Sequence, residues 1–347
     1  MKKKVGYVYD PVYLRHETGE HPENPQRLEA IMSLLGSSSL KERLALIEPR
    51  PATEKELALV HHEAYIARIR EIGQAGGGYF DSETIMSPGS YDAALCAAGG
   101  VIRAVDAVMA AEANAVFALV RPPGHHATPG QAMGFCIFNN VAIAASYALK
   151  KHGLKRVAVI DFDVHHGNGT QEAFVNDPAV LYVSTHQYPH YPGSGGIGET
   201  GRGQAAGTKV NIPLPRGCGD AEYQRVFEQI IIPVVKRFHP GLILVSAGYD
   251  PHWADGLAEM QVTVKGFAWM VSTIKALADE LCGGRLVLAL EGGYNLEALA
   301  YSVKATFDVL LGEMEIEDPL GPPPHHFPPD IDSLVAAIKK THCLVSP

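Results

Sequence analysis

Asp163 and His165 stand two residues apart in Asp161-Phe162-Asp163-Val164-His165-His166-Gly167-Asn168. In extended chain a period of two puts both side chains on one face, which makes them a chelating pair. Asp250, at the end of Ser246-Ala247-Gly248-Tyr249-Asp250, adds a third donor. Two oxygens and one nitrogen suit zinc and leave a coordination position for water or substrate, as in a catalytic site. Ferrous iron accepts the same donors, so a divalent ion is the expectation, with zinc the preferred reading and iron the alternative. A lone Asp-x-His more often caps a helix. The histidine pairs nearby and the distant carboxylate turn the balance toward a metal.

Zinc lowers the pKa of a bound water to roughly 7, so one neighbouring base suffices to generate hydroxide and later protonate a leaving amine. His125 and His126, in Arg121-Pro122-Pro123-Gly124-His125-His126, are the candidates. Each imidazole needs a partner on its far nitrogen, and Asp161 and Asn168 lie on the ligand segment to supply it. Tyr294 follows Gly292 and Gly293, and its hydroxyl is placed to polarise a carbonyl opposite the metal. The plain alternative is a tyrosine packed at a turn. His61-His62, in an expected helix, and His325-His326, in a proline-rich stretch, read as surface residues and receive no role.

These segments share a position: each follows a short apolar run. The runs are 115–120, 157–160, 180–183, 242–245 and 286–290, whose length and lack of alternation mark strands buried on both faces. Longer helical stretches separate them, at 91–111, 140–151, 223–238 and 264–281, so the sheet should be mainly parallel with helices on both sides. In such sheets the carboxyl ends of the strands form the ligand crevice, and four segments converge there. Residues 185–208 read as a long surface loop, 313–329 as an acidic then proline-rich tail wrapping the surface, and 331–340 as a last short helix.

With 347 residues and 46% hydrophobic composition, one continuous domain (1–347) is expected. No apolar run approaches the roughly 20 residues of a membrane helix. The start, Met1-Lys2-Lys3-Lys4-Val5-Gly6-Tyr7-Val8, reads as a first strand of a cytoplasmic protein. A net charge of −9 without a basic cluster argues against nucleic acid and favours a cationic substrate. Five scattered cysteines with no CxxC pair read as reduced thiols. Gly193-Ser194-Gly195-Gly196-Ile197-Gly198 fits GxGxxG, but it neither leaves a strand nor opens a helix. It reads as a flexible rim loop.

With these residues in place, the chain resembles the histone deacetylase superfamily from about His21 to Leu311. The blocks HPENPQR, RPPGHHA, GFCIFNNVAIAA, DFDVHHGNGTQ, SAGYD and LEGGYN occur in the family's order. Asn168, where class I enzymes carry aspartate, makes the chain similar to the class II and bacterial or archaeal amidohydrolase branch. The resemblance implies a three-layer, arginase-like α/β fold around a mainly parallel sheet of about eight strands, with a catalytic core at about 21–311 and a tail at 313–347. It implies Asp163, His165 and Asp250 as zinc ligands, His126 as acid-base catalyst, His125 as its electrostatic companion facing Asp161, and Tyr294 as the carbonyl-polarising group. Phe135 after Gly134, and Tyr191, match the walls of a narrow substrate tunnel, with Gly293 beside the tyrosine. Asp161, Ser184 and Thr185, with the carbonyls of Asp163 and His165, match a structural potassium site.

Leu257 stands where the family's polyamine deacetylases place a rim glutamate, which tilts the implied substrate toward acyl-lysine in a peptide or protein. The expected reaction is hydrolysis of N-acetyl-lysine or a related acyl-lysine. Acetylpolyamine hydrolysis is the alternative; a two-manganese ureohydrolase and a non-catalytic acyl-lysine binding module are weaker ones. Acyl-chain preference and oligomeric state stay open.

Overall fold

A computed structural model of the chain describes residues 4–325 and 327–344. Met1 to Lys3 and His326 therefore lie outside the described residues. The strands are β1 (Val5–Val8), β2 (Leu44–Ile47), β3 (Gly78–Tyr79), β4 (Ile85–Met86), β5 (Ala115–Ala118), β6 (Val157–Asp161), β7 (Val180–Gln187), β8 (Lys209–Leu214), β9 (Ile243–Ala247) and β10 (Leu286–Leu290). Eight of them form one parallel sheet in the order β2-β1-β5-β10-β9-β6-β7-β8, while β3 and β4 make a small antiparallel hairpin. β5, β6, β7, β9 and β10 are buried along their whole length, as continuous apolar runs require.

The helices are α1 (Gln26–Ser37), α2 (Glu54–Leu57), α3 (Glu63–Gln74), α4 (Ser90–Met109), α5 (Asn140–His152), α6 (Asn168–Ala173), α7 (Asp220–Val226), α8 (Ile232–Phe238), α9 (Val264–Cys282), α10 (Leu296–Leu311) and α11 (Asp332–Thr341). Between α7 and α8 a π-helical turn, Phe227–Ile231, divides the helix expected over 223–238. Pro233, at the start of α8, cannot donate to the carbonyl four residues back, and its ring crowds that carbonyl, which widens the turn before it. Among the described residues, no helix is long and apolar enough to cross a membrane.

The edge strands β2 and β8 escaped the apolar-run reading. β2 is partly exposed, with Leu46 half exposed, and β8 interleaves Lys209, Asn211 and Pro213 with its apolar residues. The loop expected over 185–208 starts later, because β7 continues through Gln187. His61 is the other correction. It is buried just ahead of α3, its Nε2 accepts the backbone N–H of Asn139 at 2.9 Å, and its ring packs against Tyr65 and Phe138. His62 is exposed at the N-cap of α3, and His325 is exposed. The five cysteines are free thiols, of which Cys136, Cys218 and Cys282 are buried, Cys96 is half-buried and Cys343 is exposed.

Beyond residue 312 the chain stays tied to the body. The Arg43 and Glu313 side chains pair at 2.7 Å, the Trp253 indole donates to the Gly321 carbonyl at 2.9 Å, and Arg237 donates to the carbonyl of His342 at 2.7 Å.

Candidate metal centre and tunnel

The central strands β5, β6, β9 and β10 end side by side, and the polar segments that follow them meet at one mouth. Asp163, His165 and Asp250 are buried there, and one ligand atom from each lies within 4.8 Å of the others. His165 Nδ1 stands 3.2 Å from Asp163 Oδ1 and 3.1 Å from Asp250 Oδ2. The outer carboxylate oxygens are held by the backbone: Asp163 Oδ2 accepts from Gly292 N–H at 2.8 Å, and Asp250 Oδ1 from Val164 N–H at 2.9 Å. A Cβ at Gly248 would stand 2.0 Å from Asp163 Oδ2, and one at Gly292 would stand 2.1 Å from Asp250 Oδ2. Both glycines are needed for space.

The electrostatics fit a cation at this point. Burial works against charge on His165, yet its contacts with Asp163 and Asp250 raise its pKa to about 10. Burial and then Asp163 push Asp250 up to about 7, while His125 and His165 hold Asp163 well below the usual carboxylate range despite its burial. Two carboxylates and an imidazole converge on one point, and a divalent ion satisfies all three where a single proton does so only in part.

The histidine pair sits beside the triad, with ring centroids 4.0 Å apart. His125 Nδ1 faces Asp161 Oδ2 at 3.1 Å, and the Tyr182 hydroxyl donates to the same oxygen at 3.0 Å. Burial opposes charge on His125, but Asp163, Asp161 and Glu291 raise its pKa to about 10. His126 Nδ1 faces Asn168 Oδ1 at 2.8 Å. Burial, then His125 and His165, hold His126 well below the ordinary histidine range, so it stays neutral. One nitrogen meeting an acceptor fixes the tautomer: Nδ1 carries the proton and Nε2 is free to act as a base.

A cavity of about 330 Å³ opens over these groups, walled by Phe135, Tyr191, Tyr294 and Leu257. Phe135 meets Tyr294 edge-on at 5.9 Å, and Tyr191 meets His126 edge-on at 5.1 Å. The backbone explains how Phe135 is aimed. Gly134 has φ +55° and Phe135 has φ +68°, a left-handed pair in which only the first residue is glycine. A Cβ on Gly134 would fall 2.4 Å from His126 Cδ2. Burial and then Asp250 push the Tyr294 phenol well above its ordinary pKa, which keeps it a hydrogen-bond donor.

Among the residues named from sequence, Gly293 does not line the cavity. Gly292 does, while the Gly293 carbonyl accepts from Arg27 Nε at 2.7 Å. Asp161, Ser184 and Thr185 adjoin one another across β6 and β7: Asp161 is in register with Ser184, Thr185 Oγ1 donates to the Asp161 carbonyl at 3.5 Å, and Ser184 Oγ meets His186 Nδ1 at 2.9 Å. The glycine loop at 193–198 opens no helix, and of this region only Tyr191 reaches the cavity. Glu199 pins the loop by accepting the N–H groups of Gly195 and Gly196 at 2.8 and 2.9 Å.

Several residues escaped the sequence reading. One oxygen of the buried Glu291 accepts the N–H groups of both Gly124 and His125, and so holds the histidine turn. Arg27 is fully buried, donates to the carbonyls of Glu291 and Gly293, and lies 5.0 Å above the Tyr294 ring. Glu23 pairs with both Arg27 and Arg121. His21, Pro22 and Glu83 line the mouth. The i, i+4 spacing of Glu23 and Arg27 was the available signal, but it reads equally well as a surface pair.

The profile of the histone deacetylase domain matches residues 21–310, and the chain belongs to that family. It is 46% identical to a "Probable deacetylase" of Archaeoglobus fulgidus over 86% of this chain and 84% of that protein. It is also 42% identical to "Polyamine deacetylase HDAC10" of Homo sapiens over 84% of this chain, which spans 45% of the human protein. Among solved structures it resembles the HD domain of HDA15, with a TM-score of 0.88 and 35% identity, covering 98% of this chain and 95% of that one. The fold and the candidate metal-binding triad thus belong to a hydrolase of the deacetylase family, whose substrates are acetylated.

Proposed function

We propose that the protein hydrolyses the amide of N-acetyl-lysine, or a closely related acyl-lysine, in peptides or proteins, with zinc held by Asp163, His165 and Asp250. The observation that carries this reading is that His165 of the triad, the neutral His126 and Tyr294 line one cavity with aromatic walls, with Asp163 and Asp250 grouped on His165. Phe135 and Tyr191 suit the methylene stem of a lysine, whose charge the acyl group has removed. When bound, the ion supplies a Lewis acid for the amide carbonyl and an acidified water.

The residues do the rest. His126 Nε2 takes the proton of the attacking water and returns it to the leaving amine. His125, kept cationic by Asp163, Asp161 and Glu291 against its burial, stabilises the negative charge that builds up beside it. Tyr294 donates to the developing oxyanion from the opposite side. Asp161, Ser184 and Thr185 carry the reading of a structural potassium site under the triad, which rests on the family resemblance and on their adjacency.

The second reading, hydrolysis of acetylated polyamines, is favoured by the human relative's name. Leu257 speaks against it, because a leucine at the rim offers no charge to a distal ammonium. Acetate release by the zinc-loaded protein from acetyl-lysine peptides, compared with N-acetylputrescine and N-acetylspermidine, separates the two. Turnover of the peptides by at least tenfold in kcat/KM supports the proposal, and the reverse preference overturns it.

A further inference from the structure

The loop that starts at the ligand Asp250 carries a second buried carboxylate, Asp255, which is 6% exposed and pairs with no lysine or arginine among the described residues. Its hydrogen bonds run to backbone instead. Oδ2 accepts from Tyr294 N–H at 2.6 Å and from Asn295 N–H at 3.0 Å, and Oδ1 accepts from Leu257 N–H at 3.1 Å. The Asn295 amide returns a bond to the Ala254 carbonyl at 3.0 Å. On its other side, the Leu257 carbonyl accepts from His190 Nε2 at 3.0 Å, and the His190 ring stacks on His165 at 5.1 Å. A continuous strap thus runs from the ligand His165 through the rim residue Leu257 to Tyr294.

We infer that Asp255 is a positioning residue that fixes Tyr294 against the metal triad and Leu257 at the tunnel rim, joining substrate entry and oxyanion donor in one rigid unit. Three properties support this. A buried carboxylate accepting three N–H groups is strongly held, since charge-assisted bonds exceed neutral ones. The backbone of Tyr294 follows Gly293 at φ +112°, where the chain is freest to rotate and an anchor has most to do. Finally, a displacement of about 1 Å in a catalytic donor costs on the order of 100-fold in rate. The inference concerns how the amide-hydrolysing site is held, and it rests on that reading of the function.

The test is a double-mutant cycle on the zinc-loaded protein. Asp255→Asn alone should lower kcat by about 10- to 100-fold, with metal content retained. In a Tyr294→Phe background the same change should cost little more, because the group it positions is gone. Additive losses would mean a general structural role and overturn the inference. If Tyr294→Phe itself leaves kcat unchanged, the proposed mechanism fails instead. A readout independent of turnover separates the two: hydrogen exchange at the amides of Leu257, Tyr294 and Asn295 should accelerate in Asp255→Asn, and unchanged exchange overturns the strap. Should that variant fail to fold, His190→Phe tests the half-exposed end. It keeps the stack on His165 and removes the donor to Leu257, so KM should rise, and an unchanged KM counts against the strap.

Discussion

At the scale of single residues, the site divides its labour by environment. His125 and His126 are neighbours in sequence, yet Asp163, Asp161 and Glu291 raise the pKa of the first to about 10 against its burial, while burial and then His125 and His165 hold the second well below the ordinary range. That separation assigns the resting cation and the resting base. Substituting His126→Ala should reduce kcat by about 100-fold or more while zinc content by atomic absorption stays at the parent level; loss of zinc would make His126 a ligand instead. A Tyr294→Phe protein should lose about 100- to 1,000-fold in kcat with little change in KM. By contrast Gly248→Ala should lose the metal, since its methyl would overlap Asp163 Oδ2, and metal analysis checks it directly.

At the scale of elements, the sheet turns scattered residues into a site by ending four central strands at one level. What lies just outside those strands then holds the ends in place. His61 illustrates this, as the buried imidazole ahead of α3 that accepts the N–H of Asn139, the residue capping α5. Burial lowers its pKa to about 4, so the native state keeps it neutral while the unfolded chain takes up a proton below about 6.5. Because the unfolded state binds more protons in that window, stability present above pH 6.5 is lost as pH falls toward 4, by up to roughly 3 kcal/mol. Urea titrations of the parent and of His61→Gln should therefore show a stability gap that narrows from pH 7 to pH 4. A constant gap would mean that His61 titrates normally.

For the molecule as a whole, the candidate metal triad draws on segments that are distant in sequence, so ion binding and folding should be linked. Chelation should lower the melting temperature, and restored zinc should raise it with the logarithm of free ion concentration over Kd. The sign with pH follows from His165, which contacts both aspartates and must give up its proton to bind a metal. Affinity for the ion should fall on acidification, a trend that competition with a chromophoric chelator measures. The net charge of −9 at pH 7 favours the approach of cationic molecules, and Glu83 lines the mouth.

The chemistry-bearing segments were legible in the sequence because strand ends in a parallel sheet are marked twice, by an apolar run and by the polar cluster that follows it. Asp163, His165, Asp250, the histidine pair, Phe135 and Tyr294 could be named that way or from the family's blocks, and Tyr191 and Leu257 from the wider family resemblance. The edge strands β2 and β8 could not, because an edge is partly solvated or carries polar residues and loses the uniform pattern. Nor could the role of Asp255, which accepts the N–H groups of Tyr294 and Asn295, 39 and 40 residues further on; Arg27 and Glu291 lie within the family's blocks, but the backbone groups that they hold could not be read there. Sequence pattern records side-chain type and local spacing. A carboxylate that collects amide N–H groups from another loop leaves no mark there, and only the tertiary structure decides which backbone it holds.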